Sequence, residues 1–183
     1  MAFSINDIVS QMQYGGARPS LFQVTITNPV NATGDLKAPF MIRATQLPEF
    51  TVGVINVPYF GREIKLAGGR KFGEWNVTVF NDEDYLVRNS LENWSNAINL
   101  LENNITSLGT SAPLEYKSQA LVNHFGKDGQ ILRTYQFNGI WPSAVSAMDL
   151  DWQNADAIQE FQVTFQYDSF AVVGGKTGNA GGV

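Results

Sequence analysis

Cysteine is absent from this chain of 183 residues, and histidine occurs once, at position 124. Without cysteine the chain cannot form disulfides, use a thiol nucleophile or bind zinc through thiolates. A serine triad would have to use His124, and nothing near this histidine supports that role. A structural or surface position is the better interpretation.

Charge is also scarce. Charged residues make up 16% of the chain, and 12 Lys and Arg stand against 17 Asp and Glu, for a net charge of −5. Binding to a phosphate backbone needs an excess of cations, so this composition argues against a conventional nucleic-acid-binding protein. No apolar run approaches the ~20 residues of a membrane-spanning helix, and the N-terminus lacks the pattern of a secretory signal. We expect a soluble, cytosolic protein without a membrane, cofactor or metal partner.

The residues that are abundant favour β structure. Aromatic residues make up 12% of the chain, and they alternate with polar residues together with Val and Ile. Strands are predicted at 21–27, 40–47, 115–125, 131–141 and 160–168, where Phe161, Val163, Phe165 and Tyr167 share one face. A short helix is predicted within 3–12, and residues 28–39 are predicted to form an exposed loop.

One long amphipathic helix is predicted over 82–101. Val87, Leu91 and Trp94 fall in one stripe, and Asn81 or Asp82 would cap the first turn. The expected fold is therefore mainly β, a sandwich or barrel with one flanking helix. A single domain would cover 1–173, and the Gly-rich tail 174–183 would be flexible.

The stretch 52–82 predicts a long β-hairpin. Extended-favouring residues lie on both sides of Gly68 and Gly69, and a Gly-Gly pair between two such runs is typical of a turn. The hairpin exceeds the usual strand length of about 5–6 residues, so it leaves backbone edges that must pair. We expect another copy of the chain to supply that pairing.

Several groups of residues were weighed as sites of chemistry. Glu63 and Glu74 on opposite arms of the hairpin could be the paired acids of a hydrolase, and exposed Trp141 and Trp152 could bind carbohydrate. The acidic groups 82–84 and 149–151 are better explained by helix capping and by a turn. The sequence predicts no catalytic, metal or cofactor site.

A series of short motifs, in order along residues 17–168, identifies a family. They are Ala17-Arg18-Pro19, Leu47-Pro48, the stretch 57–82 with Arg62, Gly68 and Trp75, Glu115-Tyr116-Lys117, Gly139-Ile140-Trp141-Pro142 and Leu150-Asp151-Trp152. With these motifs the chain resembles the tail tube proteins of contractile-tailed, myovirus-type bacteriophages. The loop 28–39 and the segment after Ser169 are longer than the family pattern.

The resemblance implies subunits that form a hexameric ring with a continuous inner β-barrel. Rings would stack into the inner tail tube of the virion, assembled in the bacterial cytoplasm, with no enzymatic activity. The implied partners are the sheath protein outside, baseplate and tail terminator proteins at the ends, and tape measure protein and double-stranded DNA in the lumen. Six copies at −5 each would repel phosphates, so DNA would pass without specific binding.

Three sets of residues are expected to serve this assembly. Contacts between subunits and rings are assigned to Pro48, Phe50, Tyr59, Arg62, Gly68, Gly69 and Arg70. Stacking of rings is expected to use the loops 44–58 and 67–71 and the N-terminal segment. The lumen is assigned to Lys117, Gln119 and Asn123, and the sheath-facing surface to Arg88 and Glu92. The tube protein of a type VI secretion or related contractile injection system remains the alternative; a carbohydrate-binding β-sandwich and a hydrolase rank below it.

Overall fold

The computed structural model describes residues 5–106 and 112–181. Nine strands and four helices lie in these ranges. In chain order they are α1 (Ile5–Gln11), β1 (Phe22–Ile26), α2 (Ala38–Met41), β2 (Ile42–Thr45), β3 (Phe50–Tyr59), β4 (Arg62–Phe72), β5 (Trp75–Phe80), α3 (Leu86–Ile98), α4 (Pro113–Tyr116), β6 (Ser118–Phe125), β7 (Ile131–Val145), β8 (Glu160–Gln166) and β9 (Ser169–Gly174). None of the helices in the described ranges is long and apolar enough to span a membrane.

The long strand β7 joins two groups of strands into one antiparallel sheet. The strand order is β1-β6-β7-β8-β5-β2, and β9 pairs with β7 beside this path. The first part of β7 lies between β6 and β9, whereas residues 141–145 pair with β8. The hairpin β3–β4 forms a separate two-stranded sheet. The mainly β prediction is confirmed.

The core forms where the inward faces of these strands meet helix α3. Alternate residues of β5 and β8 are buried, which confirms the alternation predicted for 160–168; they are Trp75, Val77, Val79, Phe161, Val163 and Phe165. Val87, Leu91 and Trp94 cover them from α3. The Trp94 indole N–H donates to the carbonyl of Tyr116 at 2.8 Å, so its polar atom is satisfied inside the core.

Helix α3 begins later and ends earlier than the predicted 82–101. Tyr85, with φ 51°, precedes its first residue, Leu86, and provides no side-chain cap. Asn81 and Asp82 were therefore both wrong as caps: the Asn81 side chain donates to Gln159, and Asp82 forms an ion pair with Lys37. The Asp84 carboxylate accepts from the Leu86 amide at 3.0 Å. At the other end the helix stops at Ile98, so Leu101 is not part of its apolar stripe and is exposed.

The turn of the long hairpin was also predicted in the wrong place. Strands β3 and β4 pair from Phe50–Phe72 to Tyr59–Arg62, so the chain reverses at Phe60 and Gly61. Their φ angles of 43° and 79° are the left-handed values of a two-residue hairpin turn. Gly68 and Gly69 lie inside β4 at a bulge. A Cβ on Gly68 would lie 3.2 Å from the Gly53 carbonyl oxygen, so close approach of the two strands explains this glycine.

Three other segments depart from the predicted bounds. Residues 113–116 are helical, so β6 starts only at Ser118. Pro142 does not end β7: it lies at a register shift opposite β8, a position where a strand tolerates proline, and β7 continues to Val145. Residues 28–39 contain a short 3₁₀ turn at Ala32–Gly34 and the start of α2. Past β9, the amides of Lys176 and Thr177 donate to the carbonyls of residues 131 and 132.

Candidate assembly surfaces

The hairpin β3–β4 is amphipathic, and its apolar face is uncovered in the isolated chain. Cross-strand pairs place Ile55 opposite Leu66 and Val57 opposite Ile64 on the same face, which Tyr59 extends towards the tip. The exposed fractions of these five side chains run from 38% to 61%. Arg62 lies opposite Tyr59 at the end of this face, and the other face carries Asn56, Glu63 and Lys65 together with Val54 and Pro58. Covering the apolar face would be favourable by roughly 1 kcal/mol for each large side chain.

Aromatic rings anchor the base of the hairpin to the core. The Phe170 ring lies 5.8 Å from Phe50, 5.7 Å from Phe72 and 5.5 Å from Phe137. The Phe137 ring in turn stacks on buried Trp75 at 4.4 Å. This chain of rings fixes the direction in which the hairpin leaves the subunit, whereas the strands beyond it pair only with each other.

The seven residues assigned to subunit contacts fall into three places on the hairpin and its base. Phe50 lies at the base, where the guanidinium of Arg70 sits 5.0 Å from its ring centre, and half-buried Pro48 precedes it. Gly68 and Gly69 lie in the middle, at the bulge. Tyr59 and Arg62 form the last pair before the turn. These placements do not test the assigned contacts, which remain predictions.

The sheet of β1, β6, β7 and β9 presents a polar face away from the core. On β9, Ser169 and Ala171 lie on this face opposite Asn138 and Gln136. The outward residues of β1, β6 and β7 alternate with buried ones and are adjacent in register; they include Gln23, Thr25, Gln119, Leu121, Asn123, Thr134, Gln136 and Asn138, of which only Leu121 is apolar. None of these eight side chains is ionisable. Amide and hydroxyl groups bond along the face: Thr134 donates to Asn123 at 2.8 Å, and Gln136 donates to Gln119 at 3.2 Å.

The three predicted lumen residues do not all belong to this face. Gln119 and Asn123 lie on it, two strand positions on either side of Leu121. Lys117 lies before the start of β6, and its ammonium pairs with Asp168 at 2.7 Å. The face itself is therefore neutral, and the one predicted cation at its end is matched by a carboxylate.

Helix α3 presents Arg88 and Glu92 as an i,i+4 ion pair at 2.6 Å. The Arg88 side chain is only 13% exposed. It lies over the Phe161 ring at 5.1 Å and reaches the carbonyl of Ser146 at 3.4 Å. Arg88 therefore secures the helix to the sheet, whereas its partner Glu92 keeps a side chain that is 48% exposed.

The segment 28–39 is held against α3 and leaves apolar side chains outside. Buried Asn28 donates to the carbonyl and hydroxyl of Ser90, and its backbone amide donates to Asp35 at 3.0 Å. Burial raises the pKa of Asp35, partly offset by that amide. Leu36 and Phe40 of the same region are 88% and 75% exposed. This segment is a second candidate surface next to the exposed side of α3.

The residues weighed for catalysis do not assemble into a site. Glu63 lies near the hairpin tip, whereas Glu74 follows the other end of β4 and accepts from Gln166. At ~3.3 Å per residue they are roughly 30 Å apart, against the ~5–9.5 Å of paired glycosidase acids. The His124 ring nitrogen lies 2.8 Å from the carbonyl oxygen of Arg18. The described residues contain no group of acids and histidine able to hold a metal.

The two tryptophans weighed for carbohydrate binding occupy different settings. Trp141 is half-buried in β7 and packs edge-on against Tyr116 at 6.3 Å. Trp152 is fully exposed in the loop between β7 and β8. Only one of the two rings is therefore presented to solvent, so they do not act as a pair.

Two features of these surfaces were missed by the sequence reasoning. The alternation of Ile55, Val57 and Tyr59 on one arm of the hairpin, matched by Ile64 and Leu66 on the other, signals its apolar face. That match becomes visible only when the turn is placed at Phe60-Gly61. The neutral face of the sheet follows from the odd positions of β6 and the even positions of β7, once their register is known.

Comparison with known proteins adds an independent finding. The sequence model of the phage tail tube protein family matches residues 17–173. The tail tube protein of Enterobacteria phage T4 is 35% identical over 167 residues, covering 90% of this chain and 97% of the relative. The tail tube protein of Serratia phage KSP90 is 28% identical over 169 residues, covering 90% and 94% of the two chains.

The fold also resembles solved structures of contractile injection systems. A structure of the sheath/tube terminator of an extracellular contractile injection system, PVC, superposes with a TM-score of 0.64 at 12% identity, covering 87% of this chain and 97% of the other. The PVC sheath–tube complex in the extended state gives 0.55 at 14% identity, covering 92% and 97%. At these identities the likeness concerns the fold alone.

Proposed function

This chain belongs to the phage tail tube family and is a structural protein of a contractile phage tail; we propose that six copies form a ring and that rings stack into its inner tube. The observation that carries the assembly is the hairpin β3–β4. Five apolar side chains on one of its faces are exposed in the single chain. A neighbouring copy would cover this face, and burying that apolar area favours association.

Free strand edges support closure into a ring. In the described chain β1 pairs only with β6, and β9 pairs only with β7, so each leaves an unpaired edge. Pairing across subunits satisfies such edges and removes the risk of open-ended aggregation. A ring in which each copy supplies β1, β6, β7 and β9 then has a continuous inner barrel.

The neutral polar face of these four strands supports a lumen role. Gln119, Asn123 and Gln136 would line the channel and interact with water through amide groups. Lysine and arginine bind DNA because they displace counterions from its phosphates. This face has neither residue, so DNA would slide along it without binding. Repulsion of phosphates by the net negative charge of six copies was the predicted reason for passage without binding. On the proposed lumen face, the absence of cations would act in the same direction.

The sheath protein would contact the outside of the tube. The exposed side of α3 around Glu92 offers such a surface, together with Leu36 of the segment 28–39 and Phe40 next to it. Tape measure protein in the lumen and baseplate and terminator proteins at the ends complete the proposed set of partners. The 35% identity to a T4 tail tube protein over 90% of the chain supports a phage tail over a type VI secretion tube.

Electron cryomicroscopy of the purified chain tests this assembly. We expect stacked rings of six copies, with β1, β6, β7 and β9 around the channel and Gln119 and Asn123 facing it. A chain that stays monomeric at high concentration and in the presence of its baseplate would refute the ring. Tubes with these four strands on the outer surface would refute the lumen assignment alone.

A further inference from the structure

The loop between β7 and β8 projects an apolar and acidic tip from the subunit. Residues 146–159 contain three aspartates and no lysine or arginine. Trp152 is 101% exposed and Leu150 is 84% exposed. The Asp151 carboxylate accepts from the Gln153 amide at 3.0 Å, and the Asp151 carbonyl accepts from Asn154. This turn holds the Trp152 side chain in water, and exposed apolar surface of this kind often marks a contact with another protein.

A cleft of opposite character lies beyond the other end of β7. It has a volume of about 230 Å³ and is lined by Tyr14, Arg18, Lys127, Asp128, Leu132 and Lys176, among others. The Lys176 ammonium lies 5.2 Å from the centre of the Tyr14 ring and 3.7 Å from the Asp128 carboxylate. The cleft therefore holds three cations and one carboxylate, so its net charge is positive. Its apolar surface comes from Tyr14 and Leu132.

We propose that the Leu150–Trp152 tip of one copy docks into the Tyr14–Lys176 cleft of the next copy in the tube; this rests on the proposed assembly. Copies with a net charge of −5 repel one another at long range, and local patches of opposite sign would offset this repulsion. The acidic tip and the cationic cleft supply them. The two surfaces lie at opposite ends of β7, so each copy can use its tip towards one neighbour and its cleft towards another. Such a contact between two different patches is heterologous, and it repeats from copy to copy.

The apolar part of the contact provides most of its strength. Exposed ion pairs contribute little by themselves, whereas a buried tryptophan is the residue most often dominant at an interface. In the cleft, Trp152 would lie against Tyr14 and Leu132, within reach of the Lys176 ammonium. The aspartates beside Trp152 would then meet Lys127 and Arg18 and set the orientation.

Charge reversal on each side tests the contact. D149K/D151K and K127E/K176E should each raise the critical concentration for tube assembly at least about tenfold, because each variant sets like charges against each other. An equimolar mixture of the two variants should assemble again, since every tip then meets a cleft of opposite charge. E102K/E115K, which makes the same charge change as D149K/D151K but outside both surfaces, should assemble like the wild type. Thermal unfolding must show all variants folded.

Three outcomes distinguish the possibilities. Wild-type tubes with unimpaired assembly of both variants would overturn the contact while leaving the proposed function intact; wild-type chains that form no tubes would overturn both. If K65E/K71E, which changes two lysines of β4, restored the assembly of D149K/D151K and K127E/K176E did not, the tip would contact the hairpin β3–β4. That result would also overturn the proposal. W152A should weaken assembly by a similar factor, and W152F should retain more of it.

Discussion

Asn28 donates from its side-chain amide to the carbonyl oxygen of Ser90 at 2.8 Å and to the Ser90 hydroxyl at 2.9 Å. The two residues are separated by 62 positions and are both buried. The Asn28 side-chain oxygen also accepts from the amides of residues 30 and 31. One side chain therefore connects the segment 28–39 to helix α3 and shapes the start of that segment.

Asn28→Ala should lower the free energy of unfolding by about 1–3 kcal/mol. The substitution leaves buried groups of Ser90 and the segment without partners. Urea denaturation monitored by tryptophan fluorescence measures the change, and N93A on the exposed side of α3 is the control. A loss below ~0.5 kcal/mol for Asn28→Ala would show that water replaces these bonds.

Alternation allowed much of the sheet to be predicted from the sequence. The strand at 160–168 has one apolar side and one polar side, and a half-buried strand produces that pattern. The hairpin turn could not be predicted in the same way, because Gly68-Gly69 and Phe60-Gly61 both satisfy a local turn rule. Gly68 lies inside β4, close to Gly53 of β3, and this contact between strands is not contained in local rules.

The residues of the candidate surfaces were likewise predicted correctly where alternation decides their position and incorrectly where contacts between elements decide it. Gln119 and Asn123 were placed on one face by simple alternation, and the register with β7 agrees. Lys117 failed to join them because four residues, 113–116, form a helical turn instead of a strand. Arg88 was predicted to be free for the sheath because helical periodicity places it outside the apolar stripe. The periodicity does not reveal the Phe161 ring and Ser146 carbonyl that hold it.

Acid should weaken the ion pairs of Lys37 with Asp82 and Asp84. Hydrogen bonds from the Lys37 ammonium hold the pKa of both carboxyls below their usual value. Their contribution to stability is present above the unfolded pKa, near 3.9, and is lost as the pH falls through the lowered folded pKa. The difference in stability between wild type and Lys37→Met should therefore be constant from about pH 5 to pH 9 and shrink as the pH falls below the unfolded pKa of about 3.9. If the difference in stability is still present at pH 2, it comes from packing of the Lys37 side chain and not from the ion pairs.

Tyr167→Phe should be neutral or stabilising by about 1 kcal/mol. The Tyr167 hydroxyl is buried and has no hydrogen-bond partner among the described residues, and removing such a group relieves its desolvation cost. Burial also raises the pKa of Tyr167 to about 12. The wild type should therefore lose stability relative to the variant as the pH rises from 10 to 12. Thermal melts across that range measure both effects, and a destabilised variant would indicate a partner in the assembled tube.

Lysines on the neutral sheet face should slow the passage of DNA without preventing assembly. Q119K, N123K and Q136K introduce cations where the sequence has amides, and each cation that contacts a phosphate adds to a salt-dependent affinity. Tubes carrying all three should bind double-stranded DNA at 50 mM salt and release it at higher salt. Phage carrying them should eject DNA more slowly. N93K on α3 is the control, and equal retention by both variants would place the tested face outside the lumen.

Adjacent residues of β4 offer the sharpest test of the hairpin, because Ile64 and Lys65 point to opposite faces of the same strand. Ile64→Asp places a carboxylate on the exposed apolar face and should abolish ring and tube formation, since the interface would bury a charge among apolar side chains. Lys65→Asp introduces the same side chain on the polar face and should leave far more assembly. Both variants should melt like the wild-type monomer, because the hairpin strands pair only with each other. Analytical ultracentrifugation and electron microscopy measure the result; equal assembly of the two variants would show that the apolar face remains in water, and a stronger defect in Lys65→Asp would assign the contact to the polar face.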